Sequence, residues 1–271
     1  MTQPKKDIAP VRSSEESEYV MGLEKGLAIV EAFGLLRGGG SLTQIAEITG
    51  YSKSSVRRCL LTLCKLGYAS QNDRQFRLAA RALRLGHAYV ASDALTKVAQ
   101  PILEMISERT RETASIAVLD LQDAVFVARS THRRNLSSGL GVGSRLPAYC
   151  SATGRVLLSA RPIDEVKFLL NRMARPALTP RTRTGLRDIL NEIEQARAYG
   201  YAICDEELEL GVRSLAVPIR TGRGDVIAAL SLSVSISRMS RQEVIDNLLT
   251  EMELARRNFA ALLSRVRHQP S

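Results

Sequence analysis

"SLTQIAEITGYSKSSVRRCLLTLCKLGYAS", Ser41–Ser70, decides how the first third of this chain folds. Ser41 opens a short periodic run in which Leu42, Ile45, Ala46 and Thr49 share a face, and Gly50 and Tyr51 supply the turn that ends it. Ser52 is placed to cap the next helix, because its hydroxyl can accept from the open N–H groups of a first turn. That helix is predicted from Lys53 to Leu66. Val56, Leu60 and Leu63 form its buried stripe, and Gly67 is a left-handed stop. Burying that stripe exposes the other side, where Lys53 and Arg57, and Ser54 and Arg58, stand four residues apart.

Working outward, Val20, Leu23, Leu27, Val30 and Leu35 recur at helical spacing, and "RGGG" at Arg37–Gly40 ends that helix. Leu23, Leu27 and Val30 are expected to fill the core of this domain. The glycine run is read as a flexible connection, since no GK[ST] follows and no strand precedes it. On the other side, Tyr68–Ser70 and Gln75–Leu78 are extended runs around the turn-forming "NDR". Three helices and a hairpin in this order make a winged helix-turn-helix. A helix fits the major groove of DNA, and a short helix before it braces it. Ser52, Lys53, Ser54, Ser55, Arg57 and Arg58 are the candidate base and phosphate contacts, and Arg74 and Arg77 the candidate wing contacts.

Charge agrees with this reading. The 271 residues carry 38 Lys plus Arg against 28 Asp plus Glu, which favours an anionic partner. Between residues 51 and 90 eight basic residues face Asp73 alone. The length suits two domains. A hydrophobic share of 45% supports a proper core, and no apolar run resembles a signal peptide or a membrane span. Four cysteines without a CxxC argue against zinc and a disulfide framework, so a cytoplasmic chain with reduced thiols and no cofactor or metal is expected.

Residues 1–18 read as a flexible tail, 19–78 as the winged helix-turn-helix, 79–92 as a linker helix and 93–271 as a second domain. Asp93 is a candidate cap for a helix running through Arg111. Strands are predicted at 115–119, 124–129, 201–204, 214–219 and 226–234, and helices at 153–160, 163–170, 184–199 and 240–265. Two hairpins interleaved with helices give an α+β class, an antiparallel sheet with helices on it.

Three stretches together resemble the IclR-type family of bacterial transcriptional regulators: "GLEKGLAIVEAF" (Gly22–Phe33) with the segment quoted above, "GSRLPAYCSATGRVLLSA" (Gly143–Ala160), and "GYAICDEELELGVRSLAVPI" (Gly200–Ile219). "RLPAYCSATGRVLL" is most similar to the branch that controls aromatic-acid catabolism through the β-ketoadipate route. The resemblance implies a winged helix-turn-helix joined to a GAF-like effector domain, operator DNA as partner, and homodimers, often paired into tetramers. It also implies an effector pocket for a small organic acid, such as β-ketoadipate, protocatechuate or 4-hydroxybenzoate. The pocket lining comes from the segments matching Cys150–Gly154 and Cys204–Ser214. Some relatives have cysteine where Ser214 stands and an acidic residue upstream, where this chain reads Cys204-Asp205, so their polar contacts need not carry over.

At that pocket the residues themselves suggest an anion site. Ala152, Thr153 and Gly154 are small enough for a ligand to approach their backbone, and the first N–H groups of a helix favour an anion. Ser151 and Thr153 add hydroxyls, Tyr149 can stack on a ring, and Arg145 and Arg213 are candidates for a bidentate clamp. Cys204, Asp205 and Ser214 complete the expected lining. The same "SATG" also reads simply as a capped helix start packed on a sheet. A second class of function, a small-molecule-modifying enzyme with a basic appendage, has little behind it. His87, His132 and His268 form no catalytic motif, and Cys150 reads as a small buried residue.

Overall fold

A computed structural model of the chain describes residues 19–36, 38–132 and 139–266. The tail expected over residues 1–18, and His268, lie outside the described residues. The chain divides into two compact units, Met1–Ala88 and Tyr89–Ser271. No helix among the described residues is long and apolar enough to cross a membrane.

The first unit holds α1 (Met21–Ala32), β1 (Gly40–Ser41), α2 (Leu42–Thr49), α3 (Lys53–Lys65), β2 (Ala69–Asn72) and β3 (Gln75–Leu78). The short helices depend on their caps. Ser41 and Gln44 form a reciprocal capping box on α2. Ser52 Oγ accepts from the Ser55 N–H at 3.3 Å to start α3. Ile29, Phe33, Ile45, Val56, Leu60 and Phe76 make the core. The face expected of α1 is corrected: Leu23 and Leu27 are 61% and 48% exposed, and Ile29, Ala32 and Phe33 are buried instead. The helix carries two apolar stripes, and periodicity alone does not say which one meets α2 and α3.

The glycine run is also corrected. Gly40 and Ser41 pair with Phe76 and Gln75, which makes a three-stranded sheet in the order β1-β3-β2. Gly39, at φ +122°, lies so close to β3 that a Cβ there would stand 2.7 Å from the Phe76 carbonyl oxygen. Glycine is what lets the chain come alongside that strand.

The linker, expected as one helix over 79–92, is a 3-10 turn at Ala80–Ala82 followed by α4 (Leu83–Ser92), which crosses the division between the units. The second unit adds α5 (Ala94–Thr110), β4 (Thr113–Asp120), β5 (Asp123–Ser130), β6 (Arg145–Pro147), α6 (Ala152–Ser159), α7 (Ile163–Arg172), α8 (Leu186–Tyr199), β7 (Ala202–Asp205), β8 (Val212–Arg220), β9 (Val226–Ser235) and α9 (Arg241–Val266). The six strands form one antiparallel sheet in the order β6-β5-β4-β9-β8-β7. Asp93 caps α5, its carboxylate accepting from the Thr96 N–H at 3.1 Å.

Period-two alternation sorts the sheet's side chains between two faces. Ile116, Leu215, Val217, Ile219, Leu230 and Leu232 pack against α5 and α9 in the larger core. The opposite face is built from small residues, Ala117, Ala202, Ala216 and Ala229, against which α6 rests. Close packing there rests on Gly154, where a Cβ would stand 2.3 Å from Ala148 Cα. Gly154→Ala is therefore expected to destabilise the chain by about 1–3 kcal/mol through overpacking. A lowered urea midpoint of the full chain would show it, and an unchanged one would mean that the contact yields freely.

Candidate functional site

Two surfaces carry candidate function, one in each unit. On the first unit, Lys53, Ser54, Arg57 and Arg58 are exposed on α3, and Arg74 and Arg77 are exposed on the β2–β3 hairpin. Among the described residues no carboxylate forms an ion pair with any of these five basic side chains, so the surface keeps a net positive charge. Ser52 is the cap expected of it. Its Oγ accepts from the Ser55 backbone N–H and lies 3.2 Å from Ser54 Oγ, so the Ser52 hydroxyl is spent on the helix start. Arg58 also lines a shallow groove against α1, beside Gly22, Lys25 and Gly26.

In the second unit a cavity of about 480 Å³ opens on the small-residue face of the sheet, within the usual range for small-molecule sites. Ser151, Ala152, Thr153, Cys204 and Ser214 line it, as expected. The floor comes from two adjacent cross-strand rows. One runs Arg129, Ser115, Ser231, and the next runs Thr113, Ser233, Ser214, Cys204. Phe126, Leu140, Leu146, Leu208 and Val212 make the apolar wall.

Arg129 is the cavity's distinctive charge. Its Nη1 donates to Ser115 Oγ at 3.0 Å and its guanidinium lies 5.2 Å from the Phe126 ring centroid. Its Nε is buried without a hydrogen-bond partner, and among the described residues no carboxylate pairs with it. Burial pushes its pKa down. Across the cavity, Thr153 Oγ1 is likewise buried and unpartnered. Ser151 Oγ caps α6 by accepting from the Gly154 N–H at 3.1 Å. The amides of Ala152 and Thr153 precede any intrahelical acceptor.

Five expected lining residues lie elsewhere. Arg145 pairs with Asp120 and Asp123 at 2.6 and 2.9 Å on the exposed rim of the sheet. Arg213 is held by Asp205, its partner across the β7–β8 ladder, and donates to the Met239 carbonyl at 2.7 Å. Neither arginine is available as a clamp, and Asp205 is spent on Arg213. Tyr149 is fully buried with its hydroxyl donating to the Pro176 carbonyl at 2.5 Å. Gly154 faces Ala148 rather than a ligand. Arg129, Thr113, Ser231 and Ser233 were missed. The alternating serines of "LSLSVS" (Leu230–Ser235) were the available signal, a polar stripe inside an apolar strand.

The chemistry of this cavity is recognition. Burial pushes the Cys204 thiol up to about 12 and the Cys150 thiol up to about 11, so neither is a thiolate nucleophile at neutral pH. What the cavity offers is an uncompensated cation, hydroxyl donors and an apolar wall, which suits a small organic anion with a flat apolar body.

Comparison with known proteins matches family domains in both units. Residues 22–73 match the IclR helix-turn-helix domain, and residues 87–260 match the bacterial transcriptional regulator IclR C-terminal domain. The Pca regulon regulatory protein of Pseudomonas putida is 39% identical over 244 residues, 90% of this chain and 84% of that protein. The p-hydroxybenzoate hydroxylase transcriptional activator of Acinetobacter baylyi is 38% identical over 257 residues, 92% of this chain and 95% of that protein. Among solved structures, an IclR homolog from Microbacterium hydrocarbonoxydans complexed with 4-hydroxybenzoate superimposes with a TM-score of 0.75. It is 27% identical, and the match covers 90% of this chain and 99% of that one. With an unpaired basic helix in one unit, an anion-favouring cavity in the other and both family domains matched in order, this chain belongs to the IclR family of bacterial transcriptional regulators.

Proposed function

We propose that the effector of this regulator is a hydroxylated aromatic monocarboxylate, bound in the sheet cavity with its carboxylate on Arg129. The uncompensated Arg129 guanidinium is the observation that carries this reading. A half-buried cation without a counter-charge costs free energy, and an incoming carboxylate offsets that cost while forming charge-assisted hydrogen bonds. The apolar wall of Phe126, Leu140 and Leu146 takes the ring. Thr153 and the open amides of α6 take the polar group at the far end. The names of the relatives, which concern p-hydroxybenzoate and the Pca regulon, support the same class of ligand.

Operator DNA is read by α3 and held by the hairpin. Residues 19–78 form the reading domain, 79–92 the linker and 93–271 the effector domain of a cytoplasmic protein. One such helix covers few base pairs, so the working unit is a homodimer with half-sites ~34 Å apart or a multiple of that. The linker helix supplies apolar surface for the pairing, because Leu83, Leu85 and Tyr89 are all exposed.

Thermal shift on the full chain tests the effector. 4-Hydroxybenzoate is expected to raise the melting temperature, and 4-hydroxybenzamide, its uncharged counterpart, to raise it far less. Arg129→Gln is expected to abolish the acid's shift, and Thr153→Leu to fill the cavity and do the same. An Arg129→Gln chain that responds as wild type does would place the ligand elsewhere.

DNA binding is tested by titration against the operator. Arg57→Ala is expected to cost about 1–3 kcal/mol at the cognate site. Arg74→Ala is expected to weaken cognate and unrelated DNA alike and to flatten the salt dependence, as loss of a phosphate contact does. If neither change alters affinity, α3 and the hairpin do not carry the contact.

A further inference from the structure

Glu207 lines the cavity with a charge of the wrong sign for an anionic ligand. Its carboxylate is fully buried and held from two sides. Oε1 accepts from Arg155 Nη1 at 2.7 Å and from Arg183 Nη1 at 2.8 Å. Oε2 accepts from Arg155 Nη2 at 2.7 Å and from the Arg183 backbone N–H at 3.1 Å. Glu192 of α8 leans on the same two arginines, 3.5 Å from Arg155 and 3.4 Å from Arg183. Two guanidiniums thus balance two carboxylates. Arg155 is wholly enclosed and also donates to the Tyr149 carbonyl and to Cys204 Sγ. Arg183 stands in the irregular segment between α7 and α8, with its side chain 39% exposed, and it does not line the cavity.

We infer that Arg183 is a specificity-determining residue for the effector, a positioning residue that acts through Glu207 by cancelling a carboxylate that would otherwise repel an anion. This rests on the cavity being the effector site. Without Arg183, Arg155 alone faces Glu207 and Glu192, and this cluster keeps one net negative charge. A partly buried charge is screened less than an exposed one and is felt by a ligand several ångströms away. The residues around Arg183 hold the wall's shape by other means. Thr179 Oγ1 donates to the Glu206 carbonyl at 2.6 Å and Thr182 Oγ1 to the Glu207 carbonyl at 2.6 Å. Arg181 pairs with Glu206 at 2.8 Å. Those bonds do not use the Arg183 side chain, so charge and shape can be separated by substitution.

The test is calorimetric titration of the full-length chain with 4-hydroxybenzoate. Arg183→Gln is expected to weaken binding about tenfold, the size of one uncancelled charge acting through a partly buried wall. Arg183→Lys keeps the charge, and Arg183→Gln combined with Glu192→Gln restores the balance. Both are expected to return to within about twofold of wild type, a recovery that a purely structural role would not give. Wild-type affinity in Arg183→Gln, or a loss that neither rescue recovers, overturns the inference alone. A wild-type chain that binds no aromatic acid overturns the effector reading and this inference with it.

Discussion

The second unit is organised around a guanidinium that folding leaves without a counter-charge. Arg129 shares the cavity face of β5 with Phe126 because the β4–β5 register shifts between Ile116 and Ala117, which sets Arg129 opposite Ser115, in the row that continues to Ser231. One hydrogen bond to Ser115 and the face of Phe126 are what the protein gives it. Two nearby carboxylates are tied up by other arginines. Glu207, the buried carboxylate in the wall, is tied to Arg155 and Arg183. Asp205, at the end of β7, is tied to Arg213. The buried carboxylate of the wall is neutralised, and the positive charge of Arg129 is not.

The rest of the sheet makes room for this arrangement. Small residues on the cavity face let α6 rest close to the strands, and Gly154 lets its first turn meet Ala148. That places the capped start of α6 at the cavity, with Ser151 spent on the cap and Thr153 facing inward. The larger core, on the other face, carries the bulk of apolar burial between the sheet, α5 and α9. Stability and recognition therefore lie largely on opposite sides of one sheet. The DNA-reading unit has a smaller core and depends more on local chemistry: a capping box on α2, a serine cap on α3, and a glycine that brings β1 against β3.

What was legible in the sequence was local. Caps at Ser41, Ser52 and Asp93, the two large hairpins and the amphipathic stripe of α3 follow from spacing within a few residues, and they stand where the spacing puts them. What was illegible depended on pairing at a distance. Arg213 reads as a free clamp until β7 and β8 pair and set Asp205 opposite it. Arg145 reads likewise until β6 joins β5 beside Asp123. Arg129 is unremarkable in "VARS" and becomes a site only when three other strands bring hydroxyls alongside. In α1 two apolar stripes compete, and only the packed structure chooses Ile29 over Leu23.

A crystal structure of the chain with 4-hydroxybenzoate bears most directly on the central claim, that Arg129 is held open for a carboxylate. The expected result is the ligand in the sheet cavity with a carboxylate oxygen about 3 Å from the Arg129 guanidinium and the ring against Phe126. A ligand bound with its carboxylate away from Arg129, or bound outside this cavity, would contradict the claim.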